Sequence, residues 1–330
     1  MVKFLIIRFS SIGDIVLTTP VIRCLKEQVV DSEIHFLTKR QYVEILHDNP
    51  YVHKVHVLSE DFPELLKELK FEKFDYIIDL HNNIRSKRVQ HSLKLISFTV
   101  NKINFQKYMA VRFKQIHKLP PVNIVNRYLN TVKAFDVIND EKGLDYFIPD
   151  SDIVKLSDLP SEFQKAYLGF VIGAKHFTKK LPADKIASIC NGLKMPIVLI
   201  GGEDDNETGE YIKKQSSATI FNSCGKFSVN QSASLIKQAG LIVSNDTGMM
   251  HIAAALKKTI ISVWGNTIPE FGMFPYLPGI NSEIVEIKGL KCRPCSKIGY
   301  TKCPKKHFRC MNDIDEKTLA EKINNIFSYE

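Results

Sequence analysis

Short runs of β-branched and other apolar residues alternate along the chain with segments of helical periodicity. In the first half, the apolar runs predict strands at residues 3–9, 33–39, 54–59 and 75–81. The segments between them, such as residues 15–28 and 62–71, predict amphipathic helices. Strands that alternate with helices in this way are typical of βαβ units, and therefore of a parallel sheet.

Acidic and turn-forming residues, including Pro149 and Pro160, interrupt this alternation at residues 136–161, where we place a domain boundary and a hinge. The alternation then restarts. Strands are predicted at residues 168–174, 196–201, 241–245 and 260–264, and helices at 182–193, 229–239, 249–256 and 316–327. We therefore predict two Rossmann-like, doubly wound α/β domains, residues 1–155 and 156–330.

Composition agrees with a globular protein of two domains. The chain has 330 residues, of which 44% are hydrophobic and 25% charged. No apolar run approaches the roughly 20 residues of a membrane helix. The apolar run at residues 4–7 is short and flanked by Lys3 and Arg8, unlike a signal peptide. We expect a cytoplasmic protein.

The net charge of +9 is unevenly distributed, because residues 80–135 contain no Asp or Glu. The basic residues of this stretch are Arg85, Lys87, Arg88, Lys94, Lys102, Lys107, Arg112, Lys114, Lys118, Arg127 and Lys133. Such a field attracts phosphates, anionic lipid headgroups or nucleic acid, although a solvated basic surface would have the same composition.

The loop after the first predicted strand contains Ser10, Ser11, Gly13 and Asp14. Ligands of open α/β sheets bind beyond the carboxyl ends of the strands, so a carboxylate there is well placed for acid–base chemistry. Asp14 has a structural alternative as a helix-capping residue. The loop lacks the Gly-x-Gly-x-x-Gly pattern of dinucleotide sites, which disfavours a nicotinamide-dependent oxidoreductase.

A second candidate site follows the predicted strand at residues 241–245. Asp246 stands where this strand leads into a helix, and the backbone N–H groups of Thr247, Gly248 and Met249 would form an anion cradle. His251 lies on the first turns of that helix and is a candidate ligand contact or a core histidine. Lys179 and Thr267 lie in loops after two other strands of this half and are candidate phosphate contacts.

Together these segments resemble glycosyltransferase family 9, the heptosyltransferases of lipopolysaccharide assembly. The matching segments are IRFSSIGDIVLTTP (7–20), KKLP (179–182), DTGMMH (246–251), AAA (253–255) and GNT (265–267). Their order and spacing extend over most of the chain. The resemblance implies a GT-B fold, in which two Rossmann-like domains face each other across a cleft, with the acceptor bound by the first and the donor by the second.

The resemblance also implies site residues. Asp14 matches the catalytic base, and Lys179 the phosphate-binding lysine. Donor contacts are implied for Asp246, Thr247, Gly248, Met249, His251, Gly202, Phe227 and Thr267, with Phe227 near the adenine. A ribose-binding acid is expected after Gly202, where Glu203, Asp205 and Glu207 compete. The acceptor contacts that we predict are Ser10, Ser11, Gly13, Arg85, Lys87 and Arg88.

The implied reaction is an inverting, metal-independent transfer of heptose from ADP-heptose to the lipopolysaccharide inner core, on a Kdo-lipid A or heptosyl acceptor. No cofactor is expected, and no Asp-x-Asp metal motif is evident near these loops. The basic stretch would bind the anionic glycolipid and could hold the protein against the cytoplasmic face of the inner membrane. Nucleic acid is not expected as a partner.

Four of the seven cysteines, Cys292, Cys295, Cys303 and Cys310, lie close together in the sequence. One Cys-x2-Cys pair followed by two further cysteines is a candidate structural zinc site, although the second pair lacks tight spacing.

The alternatives to a heptosyltransferase are a transferase of the same fold with another nucleotide-sugar donor, and a nucleic-acid-binding protein with a zinc module.

Overall fold

A computed structural model describes residues 1–328 of the chain, which form two compact units. The first unit consists of Met1–Ile103 and Val122–Phe147. The second consists of Asn104–Pro121 together with the chain from Ile148 onward. The segment Asn104–Pro121 therefore belongs to the second unit, whereas the sequence-based bounds of 1–155 and 156–330 place it in the first domain.

The first unit is built on a parallel sheet of five strands in the order β3-β2-β1-β4-β5. The strands are β1 (Val2–Ile7), β2 (Ser32–Thr38), β3 (Lys54–Val57), β4 (Tyr76–Asp79) and β5 (Ile96–Thr99). The helices of this unit are α1 (Ile12–Val16), α2 (Thr19–Gln28), α3 (Phe62–Phe71), α4 (Ile84–Leu93) and α6 (Ile124–Leu129). Phe4, Leu5, Ile6 and Ile7 of the central strand are all fully buried, which explains its continuous apolar run.

The second unit contains a parallel sheet of six strands in the order β11-β10-β9-β6-β7-β8. The strands are β6 (Leu168–Val171), β7 (Ile197–Ile200), β8 (Ile220–Asn222), β9 (Leu241–Asn245), β10 (Ile260–Trp264) and β11 (Glu283–Glu286). The helices are α5 (Asn104–Phe113), α7 (Ala183–Asn191), α8 (Asn206–Gln215), α9 (Val229–Gln238), α10 (Gly248–Ala255), α11 (Arg309–Asn312) and α12 (Glu316–Phe327). None of the helices in residues 1–328 combines the length and the apolar character that spanning a bilayer requires.

The helix predicted at residues 15–28 is in fact two helices. α1 ends at Val16, and α2 begins at Thr19 with Pro20 in its first turn. A proline has no N–H to donate to the preceding turn, so it is accommodated at the start of a helix and not in the interior of a longer one. The prediction of a continuous helix is wrong for this reason.

Both sheets confirm the prediction of doubly wound α/β architecture. In each unit the second and third strands lie on one side of the first strand and the fourth strand lies on its other side, as in the Rossmann arrangement. The strand order therefore reverses between β1 and β4 in the first unit, and between β6 and β9 in the second. Ligands of such sheets bind beyond the carboxyl ends of the strands at this point.

Candidate functional site

A buried arginine and an acidic residue follow β1 at the reversal point of the first sheet. The Arg8 guanidinium donates to the backbone oxygens of Ser10 (2.8 Å) and Leu80 (2.6 Å), and so connects the loops that follow β1 and β4. Its Nη2 lies 2.5 Å from Asp14 Oδ1. Arg8 is 8% exposed, so it is a preformed, largely desolvated cation at the edge of the sheet.

Asp14 lies in the short helix α1 and closes a local ring of hydrogen bonds. Its Oδ2 accepts from the backbone N–H (3.1 Å) and the hydroxyl (2.8 Å) of Ser11, the residue before the helix. Burial raises the pKa of Asp14, but Arg8 and the two Ser11 hydrogen bonds outweigh it and lower the pKa to about 2. Asp14 thus has the capping role considered from the sequence and is also held as an anion beside Arg8.

Two further polar residues lie in this region: His81, which was not identified from the sequence, and Lys102, which was identified only as part of the basic stretch. Burial, together with the charges of Arg8 and Lys102, lowers the pKa of His81 to about 3, so its imidazole is neutral. His81 Nδ1 is buried and has no hydrogen-bond partner among residues 1–328. Burial and Arg8 also lower the pKa of Lys102. Neither residue belongs to a recognisable local motif; His81 follows β4, and only the order of strands brings the β4 loop beside the β1 loop.

The remaining predicted acceptor contacts differ in their exposure. Ser11 is exposed and Ser10 half-buried, whereas Gly13 is buried within α1. Arg85, Lys87 and Arg88 are exposed on α4, which begins shortly after the β4 loop. The guanidinium of Arg88 lies over the Phe62 ring, 4.5 Å from its centre, so this basic side chain has a structural contact as well.

At the reversal point of the second sheet, Lys179 and Asp246 form an ion pair with 2.6 Å between Nζ and Oδ2. Lys179 ends a single 3-10 turn after β6, and Asp246 follows β9 directly. The Thr267 hydroxyl donates to the same Asp246 oxygen at 2.9 Å. Three of the predicted donor-binding residues, from three separate loops, are therefore brought together by the sheet.

The neighbouring backbone supports this cluster. The Asn245 amide accepts from Leu181 N (3.2 Å) and donates to Ile172 O (3.2 Å), which ties the end of β9 to the loop that carries Lys179. Thr247 precedes α10, whose first residue is Gly248, and makes no capping hydrogen bond with its side chain. Thr247, Gly248 and Met249 are all half-buried, so the first turn of α10 keeps partly accessible N–H groups.

Several polar side-chain atoms beside this cluster are buried without a hydrogen-bond partner in the described part of the chain. They include Thr247 Oγ1 and both the oxygen and the nitrogen of the Asn266 amide. Native proteins rarely leave such groups unpaired unless water or a ligand satisfies them. They adjoin Asp246 and Thr267 in sequence, so they extend the candidate site.

The other predicted donor contacts lie at or near strand ends of the same sheet. Asp205 is buried, accepts from Gly202 N (3.0 Å) and pairs with Lys180 (2.5 Å), so it holds the loop after β7 in place. Glu203 and Glu207 are exposed, and they remain the candidates for a ribose contact. Phe227 is half-buried before α9, and His251 is 2% exposed within α10.

The cysteine cluster lies in the second unit. Cys295 Sγ donates to the carbonyl of Cys292 at 3.0 Å. Burial and neighbouring cysteines raise the pKa of Cys295 to about 11, and burial raises that of Cys310 to about 12. Within residues 1–328, no three of these sulfur atoms lie within 4.8 Å of one another, and all four cysteines are free thiols. The zinc site remains a prediction.

Comparison with known proteins gives a consistent result. The sequence pattern of a family described as glycosyltransferase family 9 (heptosyltransferase) matches residues 63–304. Lipopolysaccharide heptosyltransferase 1 of Campylobacter coli is 24% identical over 351 residues, which cover 99% of this chain and 100% of that protein. Lipooligosaccharide heptosyltransferase 2 of Haemophilus ducreyi is 26% identical over 366 residues and covers 99% of both chains.

Solved structures share the fold. The ADP-heptose lipopolysaccharide heptosyltransferase II of Escherichia coli aligns with a TM-score of 0.76 at 20% identity and covers 99% of both chains. The E. coli heptosyltransferase WaaC with ADP aligns with a TM-score of 0.68 at 18% identity and covers 98% of this chain and 99% of that one. Both are GT-B enzymes, which agrees with the two parallel-sheet units found here.

Proposed function

We propose, because the chain belongs to glycosyltransferase family 9 (heptosyltransferase), that it transfers a heptose from ADP-heptose to the lipopolysaccharide inner core. The acceptor would be a Kdo-bearing lipid A or a heptosyl group on it. The observation that carries the proposal is the cluster of Lys179, Asp246 and Thr267 at the reversal point of the second sheet, beside the first turn of α10.

This cluster suits a sugar diphosphate. Among the ion pairs of residues 1–328, Lys179 takes part only in the one with Asp246, and a diphosphate would replace or join that carboxylate as its partner. The N–H groups at the start of α10 and the hydroxyls of Thr247 and Thr267 would bind further phosphate oxygens. Asp246, released in part from Lys179, would then accept hydrogen bonds from hydroxyls of the donor sugar.

The reaction is a single displacement at the anomeric carbon. The acceptor hydroxyl oxygen forms a bond to this carbon while the bond to the diphosphate breaks, and its electron pair leaves with ADP. Asp14 accepts the hydroxyl proton. Charge that grows on the diphosphate is stabilised by Lys179 and the α10 N–H groups, which supply the electrostatic part of catalysis.

Arg8 adds a condition to the role of Asp14. A carboxylate whose pKa is about 2 is a poor proton acceptor at neutral pH, and the Arg8 charge is a main reason for this low pKa. An acceptor phosphate or carboxylate that engages Arg8 would weaken its effect on Asp14. Burial would then raise the pKa of Asp14, so an anionic acceptor itself activates the base.

The proposal includes contact with the cytoplasmic face of an anionic membrane. Arg85, Lys87 and Arg88 are exposed on α4. On α5, Phe105 is 70% and Tyr108 51% exposed, and they are three residues apart on a helix without acidic residues. α5 also carries the exposed Arg112, and exposed aromatic rings on a basic helix are typical of helices that lie in a lipid headgroup region.

A panel of nucleotides tests the donor assignment. Thermal unfolding of the full chain would be followed with ADP, UDP, GDP and CDP at equal concentration, because a ligand that binds the folded state raises the midpoint, and a tighter ligand raises it further. We expect selective stabilisation by ADP and its loss in Lys179→Ala. Lys175→Ala, an exposed lysine of the same loop, is the matched control and should keep the shift.

The outcomes separate the alternatives. A shift with UDP or GDP in place of ADP would retain the transferase and overturn the heptose donor. No shift with any nucleotide would overturn the donor site. If ADP does stabilise the protein, release of ADP from ADP-heptose only in the presence of a Kdo-lipid A acceptor would establish the transfer itself.

A further inference from the structure

A continuous chain of histidines and carboxylates crosses β2 and β3 and reaches α3 in the first unit. Glu33 Oε1 lies 2.7 Å from His35 Nε2, and His35 Nδ1 lies 2.9 Å from His56 Nε2. His56 Nδ1 lies 2.6 Å from Glu68 Oε1. Both imidazoles are almost fully buried, at 0% and 1% exposure. No step of the proposed reaction uses them.

The three contacts in this series of side chains require more N–H hydrogens than two neutral imidazole rings have. Both terminal contacts require an N–H, since an ionised carboxylate only accepts, and the contact between the rings requires a third. Two neutral imidazoles supply two. A cation between the two rings would resolve the deficit.

We propose that the first unit binds a divalent transition-metal cation of the zinc type between His35 Nδ1 and His56 Nε2, with the Glu72 carboxylate as third ligand. One ligand atom from each of these residues lies within 4.8 Å of the other two. Two nitrogen ligands on one zinc ion are about 3.3 Å apart. The rings, 2.9 Å apart at the nearest nitrogens and nearly coplanar, would separate by a few tenths of an ångström and tilt so that both nitrogen lone pairs point at the ion.

The surroundings of the two rings favour this arrangement. When the facing nitrogens hold the ion, the outer nitrogens, His35 Nε2 and His56 Nδ1, each donate to a carboxylate, Glu33 and Glu68 respectively. Metal-binding histidines almost always have such an outer partner, which selects the tautomer and orients the ring. Lys54 Nζ lies 2.6 Å from the Glu72 carboxylate and 3.5 Å from that of Glu68. When Glu72 binds the ion, Lys54 would retain Glu68 as its ion-pair partner.

A second ligand triplet, Glu33, His35 and His53, shares His35 with the first. His53 is exposed, and Glu33 already takes the hydrogen of His35 Nε2. An ion there would displace the outer carboxylate that the first arrangement keeps. The site between His35 and His56 is therefore preferred.

The position of the ligands indicates a structural role. His35 lies on β2, His56 on the edge strand β3, and Glu72 directly after α3. An ion would thus cross-link the edge strand and the end of a helix to the body of the sheet. Because the ion binds the folded arrangement, it would stabilise the first unit.

Zinc binding by the full chain tests the site. After removal of metal with a chelator, Zn²⁺ per chain and affinity would be measured by calorimetry for the wild type, His56→Gln and Glu72→Gln. We expect both variants to bind one equivalent less than the wild type, whatever the cysteine cluster contributes. His47→Gln, an exposed histidine outside both triplets, is the matched control and should retain it.

A variant of the outer partner adds a graded readout. Glu68→Gln should weaken the affinity about 10- to 100-fold without removing a ligand. If His56→Gln does not fold, Glu72→Gln decides, because Glu72 is only half-buried after the helix end. Equal zinc stoichiometry in the wild type and in the folded ligand variants would overturn the proposal and leave a shared proton between the rings.

Discussion

At the scale of single residues, each unit pairs a cation with a carboxylate at its reversal point. Arg8 pairs with Asp14 in the first unit, and Lys179 with Asp246 in the second. Each cation is largely buried, so its positive charge attracts a substrate anion more strongly than an exposed side chain would. Under our proposal, substrate binding exchanges these internal partners for phosphates or carboxylates.

Asp14→Asn separates the roles of the two units. Because the amide cannot accept the hydroxyl proton, we expect kcat to fall by about 10² to 10⁴-fold. The ADP-induced thermal shift should persist, since the predicted donor contacts are all in the second unit. Steady-state kinetics and thermal unfolding would be measured on the same preparation. Near-normal kcat would exclude Asp14 as the base, and a lost ADP shift would indicate a general folding defect.

At the scale of elements, α5 differs most from the sequence-based prediction. It precedes the predicted domain boundary, yet it is grouped with the second unit, where the Lys114 ammonium donates to the carbonyls of Cys292 (3.1 Å) and Pro294 (2.8 Å). Lys107 lies over the Phe271 ring. The basic stretch at residues 80–135 is therefore divided between the two units, and the exposed rings of α5 belong to the donor unit.

Replacing the exposed α5 rings tests the membrane contact. The double variant Phe105→Ser, Tyr108→Ser should bind phosphatidylglycerol vesicles about tenfold more weakly in a sedimentation assay, because apolar area leaves the headgroup region. Phe71→Ser removes a ring that is 86% exposed on α3 and serves as the control. Equal loss in the control, or no loss in the double variant, would contradict a specific role for α5.

At the scale of the whole molecule, the protein carries an unevenly distributed positive charge. The net charge is +9, and 11 of the Lys and Arg residues lie in the acid-free stretch at residues 80–135. A surface of one sign attracts an anionic glycolipid from a distance, and salt screens this attraction over about 10 Å at 0.1 M.

Acceptor use should therefore depend on ionic strength. Between about 50 and 300 mM NaCl we expect kcat/KM for the Kdo-lipid A acceptor to fall about tenfold, while kcat at saturating acceptor changes little. The same series with Arg85→Ala, Lys87→Ala, Arg88→Ala should be flatter. A kcat/KM that is indifferent to salt in the wild type would exclude long-range attraction by the basic stretch.

The sequence by itself determined much of the architecture. The predicted bounds of α3, β9, β10 and α12 coincide with the structure, because each has a strong periodic pattern or a clear turn at its ends. The family and the two doubly wound units could also be predicted from the sequence, because the motifs lie at strand ends in a regular order. The roles of Asp14, Lys179 and Asp246 stay predictions that the structure makes more specific.

Only the tertiary structure decided which of these residues meet. The Arg8 contact with Leu80 joins residues 72 apart in sequence, and the hydrogen bond between Thr267 and Asp246 joins residues 21 apart. Periodicity is a local property, whereas parallel strands that pair in space are separated by whole helices along the chain. For the same reason His35 and His56, each unremarkable in the sequence, become a candidate metal site only when β2 pairs with β3.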